Sequence, residues 1–134
     1  MMKEAPPRWA AVFRQANIAD LVILAPFAVP FVADHYLGLW RMISEAISPE
    51  RALGAFGTDA TLFVNLAGAF AVLAVLLRMK LACAQAAFMT GILKFCAAAI
   101  FAVALLRGAS SVFAVPMIAD LALAILLIGT SRKH

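Results

Sequence analysis

Lys94 and Asp120 are two opposite charges, each set inside a long apolar stretch, on either side of an Arg107-Gly108 turn. Counting outward from that turn at ~1.5 Å per residue puts Lys94 roughly 20 Å and Asp120 roughly 18 Å away, so an antiparallel helical hairpin brings them to matching depth. An ammonium at that depth can hold an anionic group, and a carboxylate can exchange a proton or bind a cation. Ionisable residues in such surroundings are functional candidates by default, because isolating either charge in hydrocarbon costs ~2.5–3.5 kcal/mol on insertion scales. Two other readings stand beside a ligand site: an ion pair that fixes the register of the two helices, or pairing with another subunit. Asn65, one or two turns inside the preceding apolar block, is the third candidate, either as an interhelical hydrogen-bond former or as a ligand contact. The candidate ligand-binding set is therefore Lys94, Asp120 and Asn65.

Enzyme chemistry finds no support. HExxH, GxSxG and phosphate-loop patterns are missing, and no serine or cysteine stands with a histidine in a nucleophile motif. His35 stands beside Asp34 without a ligand cluster, so neither a metal nor a cofactor is expected. Cys83 and Cys96 fall roughly 20 Å apart along one helix, too far to bridge, and read as thiols packed among apolar groups. The net charge of +4 comes from basic residues dispersed at block ends, which does not fit a nucleic-acid surface.

The elements that would position these side chains follow from composition. The 134 residues are 66% hydrophobic and only 13% charged, with a mean hydropathy of +1.01, far from the usual balance of about half apolar and a quarter charged. The fold class expected is an all-α integral membrane protein, a four-transmembrane-helix bundle with a short interfacial helical segment between helices 1 and 2. The spans are placed at about 17–40, 60–77, 81–106 and 110–129 in a single domain covering 1–134.

Local signals refine each element. Met1 to Ala16 reads as an amphipathic lead-in retained in the mature chain, since the end of the first apolar run lacks a small residue at the first position of an A-x-A cleavage site. Pro26 and Pro30 predict a kink within the first span, with Asp20 and Asp34 as solvated ends near the two interfaces. The 34–59 connection reads as extracytoplasmic and amphipathic, because Tyr36, Leu39, Trp40, Ile43 and Ile47 recur at helical spacing. Ser48-Pro49 starts a further short helix ending near Gly57, and Thr58 or Asp59 caps the second span. Ala60, Val64, Ala67, Ala71 and Ala74 form its small-residue packing face. The third span carries Ala87, Gly91, Lys94, Ala98 and Phe101 on one face. The fourth, capped by Ser110, carries Phe113, Pro116, Met117, Asp120 and Ala124, and Pro116 predicts a bend beside the aspartate.

Lys3, Arg8, Arg14, Arg78, Lys80, Arg132 and Lys133 fall on one side of the four spans, which predicts both termini in the cytoplasm of a bacterial-type inner membrane. Gly57-Thr58 followed by Val64-Asn65-Leu66-Ala67-Gly68-Ala69-Phe70 resembles the second helix of the small bacterial fluoride channels, four-span proteins that act as dual-topology dimers. The Gly-Thr lies too far ahead of Val-Asn, however, and neither the glycine-rich first helix ending in arginine nor the Thr-Thr-Phe-Ser-Thr break of the third helix is present. The chain is not assigned to that family. The function expected is binding or transport of a small ligand or ion at Lys94/Asp120; the alternative is a non-catalytic accessory or structural subunit of a larger membrane complex. The partners expected are membrane lipids and either further copies of the chain or such a complex.

Overall fold

The computed structural model describes residues 7–131, which are all-helical, with no strand. The expected lead-in over 1–6 and the basic end at 132–134 lie outside the described residues. In chain order the elements are α1 (Arg8–Leu24) running into a 3-10 turn (Ala25–Ala28), α2 (Val32–Ile47), a 3-10 turn (Pro49–Arg51), α3 (Thr58–Lys80), α4 (Ala84–Leu106), and a 3-10 turn (Ser111–Phe113) running into α5 (Ala114–Ser131). Four stretches are long and apolar enough to cross a membrane: Arg8–Ala28, Thr58–Lys80, Ala84–Leu106 and Ser111–Ser131. The first has a mean hydropathy of 1.3 against 2.1 or more for the others, because it carries Arg14, Asn17 and Asp20.

The helix expected over 17–40 is broken instead. Pro26 and Pro30 each remove a backbone donor, and the proline ring disfavours helical geometry in the residue before it. Val29 is accordingly extended at φ −108°, ψ 115°. Phe31 follows at φ 67°, ψ −41°, and Val32 N–H donates to the Pro30 carbonyl at 2.9 Å, a γ-turn of the rare positive-φ kind. The membrane-length segment thus ends at Ala28 and reaches back to Arg8, so the residues expected as a surface lead-in from Arg8 to Ala16 belong to α1 itself.

α2 has three distinct sides. Ala33 and Ser44 are buried and Tyr36, Leu37 and Trp40 half-buried on the packed side. Leu39, Ile43 and Ile47 form an exposed apolar stripe next to it, and Asp34, Arg41 and Glu45 line the remaining side. Ser44 ties the helix to the following loop, accepting a hydrogen bond from Leu53 N–H at 2.8 Å while donating to the Arg41 carbonyl at 2.7 Å. The helix expected after Ser48 shrinks to the single turn Pro49–Arg51.

The face of α3 that packs is not the expected alanine stripe. Ala60, Ala67 and Ala74 are exposed and Val64 and Ala71 half-buried, whereas Gly68 and Val75 are buried, so the contact surface is turned by somewhat less than one residue, or under ~100°, round the helix. Gly68 determines this. A Cβ there would lie 2.6 Å from the Phe27 carbonyl carbon and 2.7 Å from Ala28 N, so the turn that ends the first segment rests directly on α3 backbone.

α4 and α5 make the most extensive helix pair. Their link closes with Ala109 N–H on the Ala104 carbonyl and Gly108 N–H on that of Leu105, the Schellman arrangement. It needs a left-handed residue, here Gly108 at φ 89°. Gly91 lets Leu127 and Ile128 approach. Pro116 falls in the first turn of α5, where its missing N–H removes no bond from within the helix. Phe13 and Ala16 of α1 pack with Ala87 and Leu127 in an apolar cluster flanked by Trp9, Val12 and Leu123.

Candidate functional site

Lys94 lies ten residues into α4, ~15 Å from the first turn. Its face is made of Ala87, Thr90, Gly91 and Ala98, all buried, and this small-residue lining leaves room for one long side chain to reach between helices. Lys94 itself is 5% exposed. The expected pairing with Asp120 forms, with Nζ donating to Oδ1 at 2.8 Å.

The ammonium also donates to Asp20 Oδ1, at 2.7 Å. Asp20, expected as a solvated helix end, is instead drawn to the same place from α1, because that helix begins nine residues earlier than the expected span. Its second oxygen accepts from Arg78 Nη2 of α3 at 3.2 Å. Two carboxylates and two cations therefore alternate in the order Arg78, Asp20, Lys94, Asp120, with one residue from each of α3, α1, α4 and α5. Their formal charges sum to zero, and each bond is charge-assisted.

The two ends of this chain differ. Asp20 uses both oxygens on cations, and its side chain is 16% exposed. Asp120 uses only Oδ1, and its side chain, at 21%, is the most accessible of the four. Arg78 cannot give up its proton in a protein setting, so the Asp20 end is held by a fixed charge and the Asp120 end is the open one.

Asn65 does not enter this cluster. It stands 13 residues before Arg78 on α3, ~20 Å along the axis, one turn from the contact of Gly68 with Phe27, and its Oδ1 is buried without a partner. The cysteines also depart from expectation. Both are exposed, and the Cys83 sulfur caps α4 by accepting from Ala86 N–H at 3.4 Å. Ser110 precedes the last 3-10 turn, but its hydroxyl makes no cap bond and is buried without a partner. On the polar side of α2, Arg41 and Glu45 pair at 3.0 Å with about half of each side chain exposed, a solvated arrangement on a different element from those that build the cluster.

Asp20 and Arg78 are the residues that sequence reasoning missed. The signal for Asp20 was the Val29-Pro30 step: taking it as a helix stop and counting back one membrane thickness, ~20 residues, reaches Arg8 and places Asp20 inside the span. Arg78 gave no comparable signal, since a cation near a helix C-terminus has an ordinary explanation in the helix dipole. Comparison with protein-family models, with curated proteins and with solved structures gave no match to this chain.

Proposed function

We propose that this chain is a multi-pass protein of a bacterial-type inner membrane, a four-helix bundle that binds or moves a small ligand or ion through its Lys94/Asp120 site. The four long apolar helices support the membrane placement. The segregation of α2 into packed, apolar and charged sides suits a helix lying at the interface, as amphipathic interfacial segments do. With the first segment starting at Arg8, the basic residues Arg8, Arg78 and Lys80 still gather at one end, in keeping with cytoplasmic termini.

The observation that carries the functional reading is the convergence of two carboxylates, from α1 and α5, on the single Lys94 ammonium at 2.7 and 2.8 Å. Oxygen ligands gathered around a point of positive charge form a cation site, here filled by the protein's own side chain. The ligand class that fits is a proton or small cation that competes with Lys94 for Asp120, the open corner, while Arg78 holds Asp20 in place. One copy of 134 residues offers little room for a complete pathway, so transport also implies assembly into a homo-oligomer.

The test is flux in liposomes containing the purified protein and an internal pH dye or a sodium-sensitive dye, driven by a potassium–valinomycin potential. Flux above protein-free liposomes, lost in Asp120→Asn, is the expected result. Wild-type flux no greater than that of empty liposomes sinks the transport reading and leaves the accessory-subunit alternative, in which the charge cluster only fixes the packing.

A further inference from the structure

Beside the ion cluster, two buried polar atoms of opposite kind lack partners: the acceptor Asn17 Oδ1 and the donor Arg78 Nε. Asn17 is completely buried, and its amide orientation is fixed, because Nδ2 already donates to the Phe13 carbonyl at 2.8 Å. A flip would break that bond and leave two groups unsatisfied. A buried acceptor left bare in this way has lost its water without gaining a partner, which is costly.

The register of α1 against α3 places these orphans together. The contact of Gly68 with Phe27 sets the two segments side by side in opposite directions. Ten residues back from Phe27 is Asn17, and ten residues on from Gly68 is Arg78, so the two stand at the same level. Asn17 is also one turn from Asp20, a spacing that puts two side chains ~5–6 Å apart at Cβ on the same face. The Arg78 guanidinium reaches up to that same aspartate. Both orphans therefore lie within about one helical turn of the Asp20 carboxylate, and the two make no direct hydrogen bond with each other.

We propose that one buried water molecule sits between α1 and α3, donating to Asn17 Oδ1 and accepting from Arg78 Nε. Asn17 Oδ1 and Arg78 Nε are two fixed partners of complementary sense, the minimum that an internal water needs. The water's second hydrogen is free for the Asp20 carboxylate one turn away. Its role is positional: it holds the guanidinium so that Nη2 meets Asp20, and so keeps the closed end of the cluster closed. Asn17 is then a positioning residue for the site and the water its ligand.

The experiment is nuclear magnetic resonance of the full chain, with 15N-labelled arginine, in lipid bilayers, reading magnetisation transfer from water to the Arg78 Nε–H. The resonance is identified by its disappearance in Arg78→Lys. The expected result is a clear transfer in the wild type that falls severalfold in Asn17→Leu, which keeps the volume and removes the acceptor. Absence of transfer in the wild type overturns the proposal, as does a direct Nε–H to Asn17 coupling or a transfer unchanged in Asn17→Leu. The wild-type spectrum decides even if Asn17→Leu fails to fold. This readout needs no transport: water without flux removes only the proposed function, and flux without water removes only the hydration site.

Discussion

Asp20 and Lys94, 74 positions apart in the chain, are joined by a 2.7 Å hydrogen bond that ties the first long helix to the α4/α5 hairpin. Without it Lys94 would have a single carboxylate partner, and α1 would meet that hairpin through apolar contacts such as those of Phe13 and Ala16 with Ala87 and Leu127. The bond thus makes a two-residue pair into a connection among four helices.

Removing the ammonium alone should therefore cost more than removing it together with the carboxylate at the open end. In Lys94→Met the carboxylates of Asp20 and Asp120 face each other without their shared cation, and a loss of about 3–5 kcal/mol is expected, as for other broken buried pairs. Adding Asp120→Asn to Lys94→Met, which leaves Arg78 and Asp20 as a neutral pair, should restore more than half of that loss. Unfolding in mixed detergent micelles measures both. A single variant no less stable than Lys80→Met, whose parent side chain is exposed, would show that the cluster does not hold the helices.

The two glycines Gly68 and Gly129 should respond oppositely to alanine. A Cβ at Gly68 would press on Phe27 backbone at 2.6 Å, which cannot rotate away as a side chain could. Gly68→Ala is expected to cost about 1–3 kcal/mol, the usual range for overpacking. Gly129, in α5, has nothing within 4 Å of the same position, and Gly129→Ala should be neutral or gain about 0.5–1 kcal/mol from its lower unfolded-state entropy. Thermal midpoints of the two variants in one detergent provide the comparison.

Cys83 and Cys96 offer a direct check of the membrane placement of α4. Both are exposed, but Cys83 precedes the helix and Cys96 lies twelve residues inside it, ~18 Å along the axis. In sealed bilayers a charged maleimide should modify Cys83 and spare Cys96, and in denaturing detergent it should modify both. Equal modification of the two in bilayers would mean that this face of α4 meets water rather than lipid.

What the sequence disclosed was the part of the site set by a single local feature. Lys94 and Asp120 share one tight turn, so their separation from it could be counted and compared, and their faces followed from helical spacing alone. Asp20 was hidden by a choice of direction. An apolar block bounded by Asp20 and Asp34 is too short to span, and the expected helix lengthened it both ways, to 17 and to 40, across two prolines. The backbone restriction of Val29 and the positive φ at Phe31 decide for the backward choice. The packing face of α3 was misplaced for a related reason. Alanine and glycine are both small, but only the contact itself shows that Phe27 backbone rests on Gly68 and leaves Ala67 outside.

The break at Pro26–Phe31 has a mechanical meaning. A continuous helix from Arg8 to Ile47 would be one lever, and tilting its far end would swing Asp20 against Lys94. With the elbow in place, α2 leaves the axis of the first segment and meets it again through Tyr36, edge-on to Phe27 with ring centroids 4.9 Å apart. Asp20 answers instead to Gly68, the fulcrum on which the first segment rests.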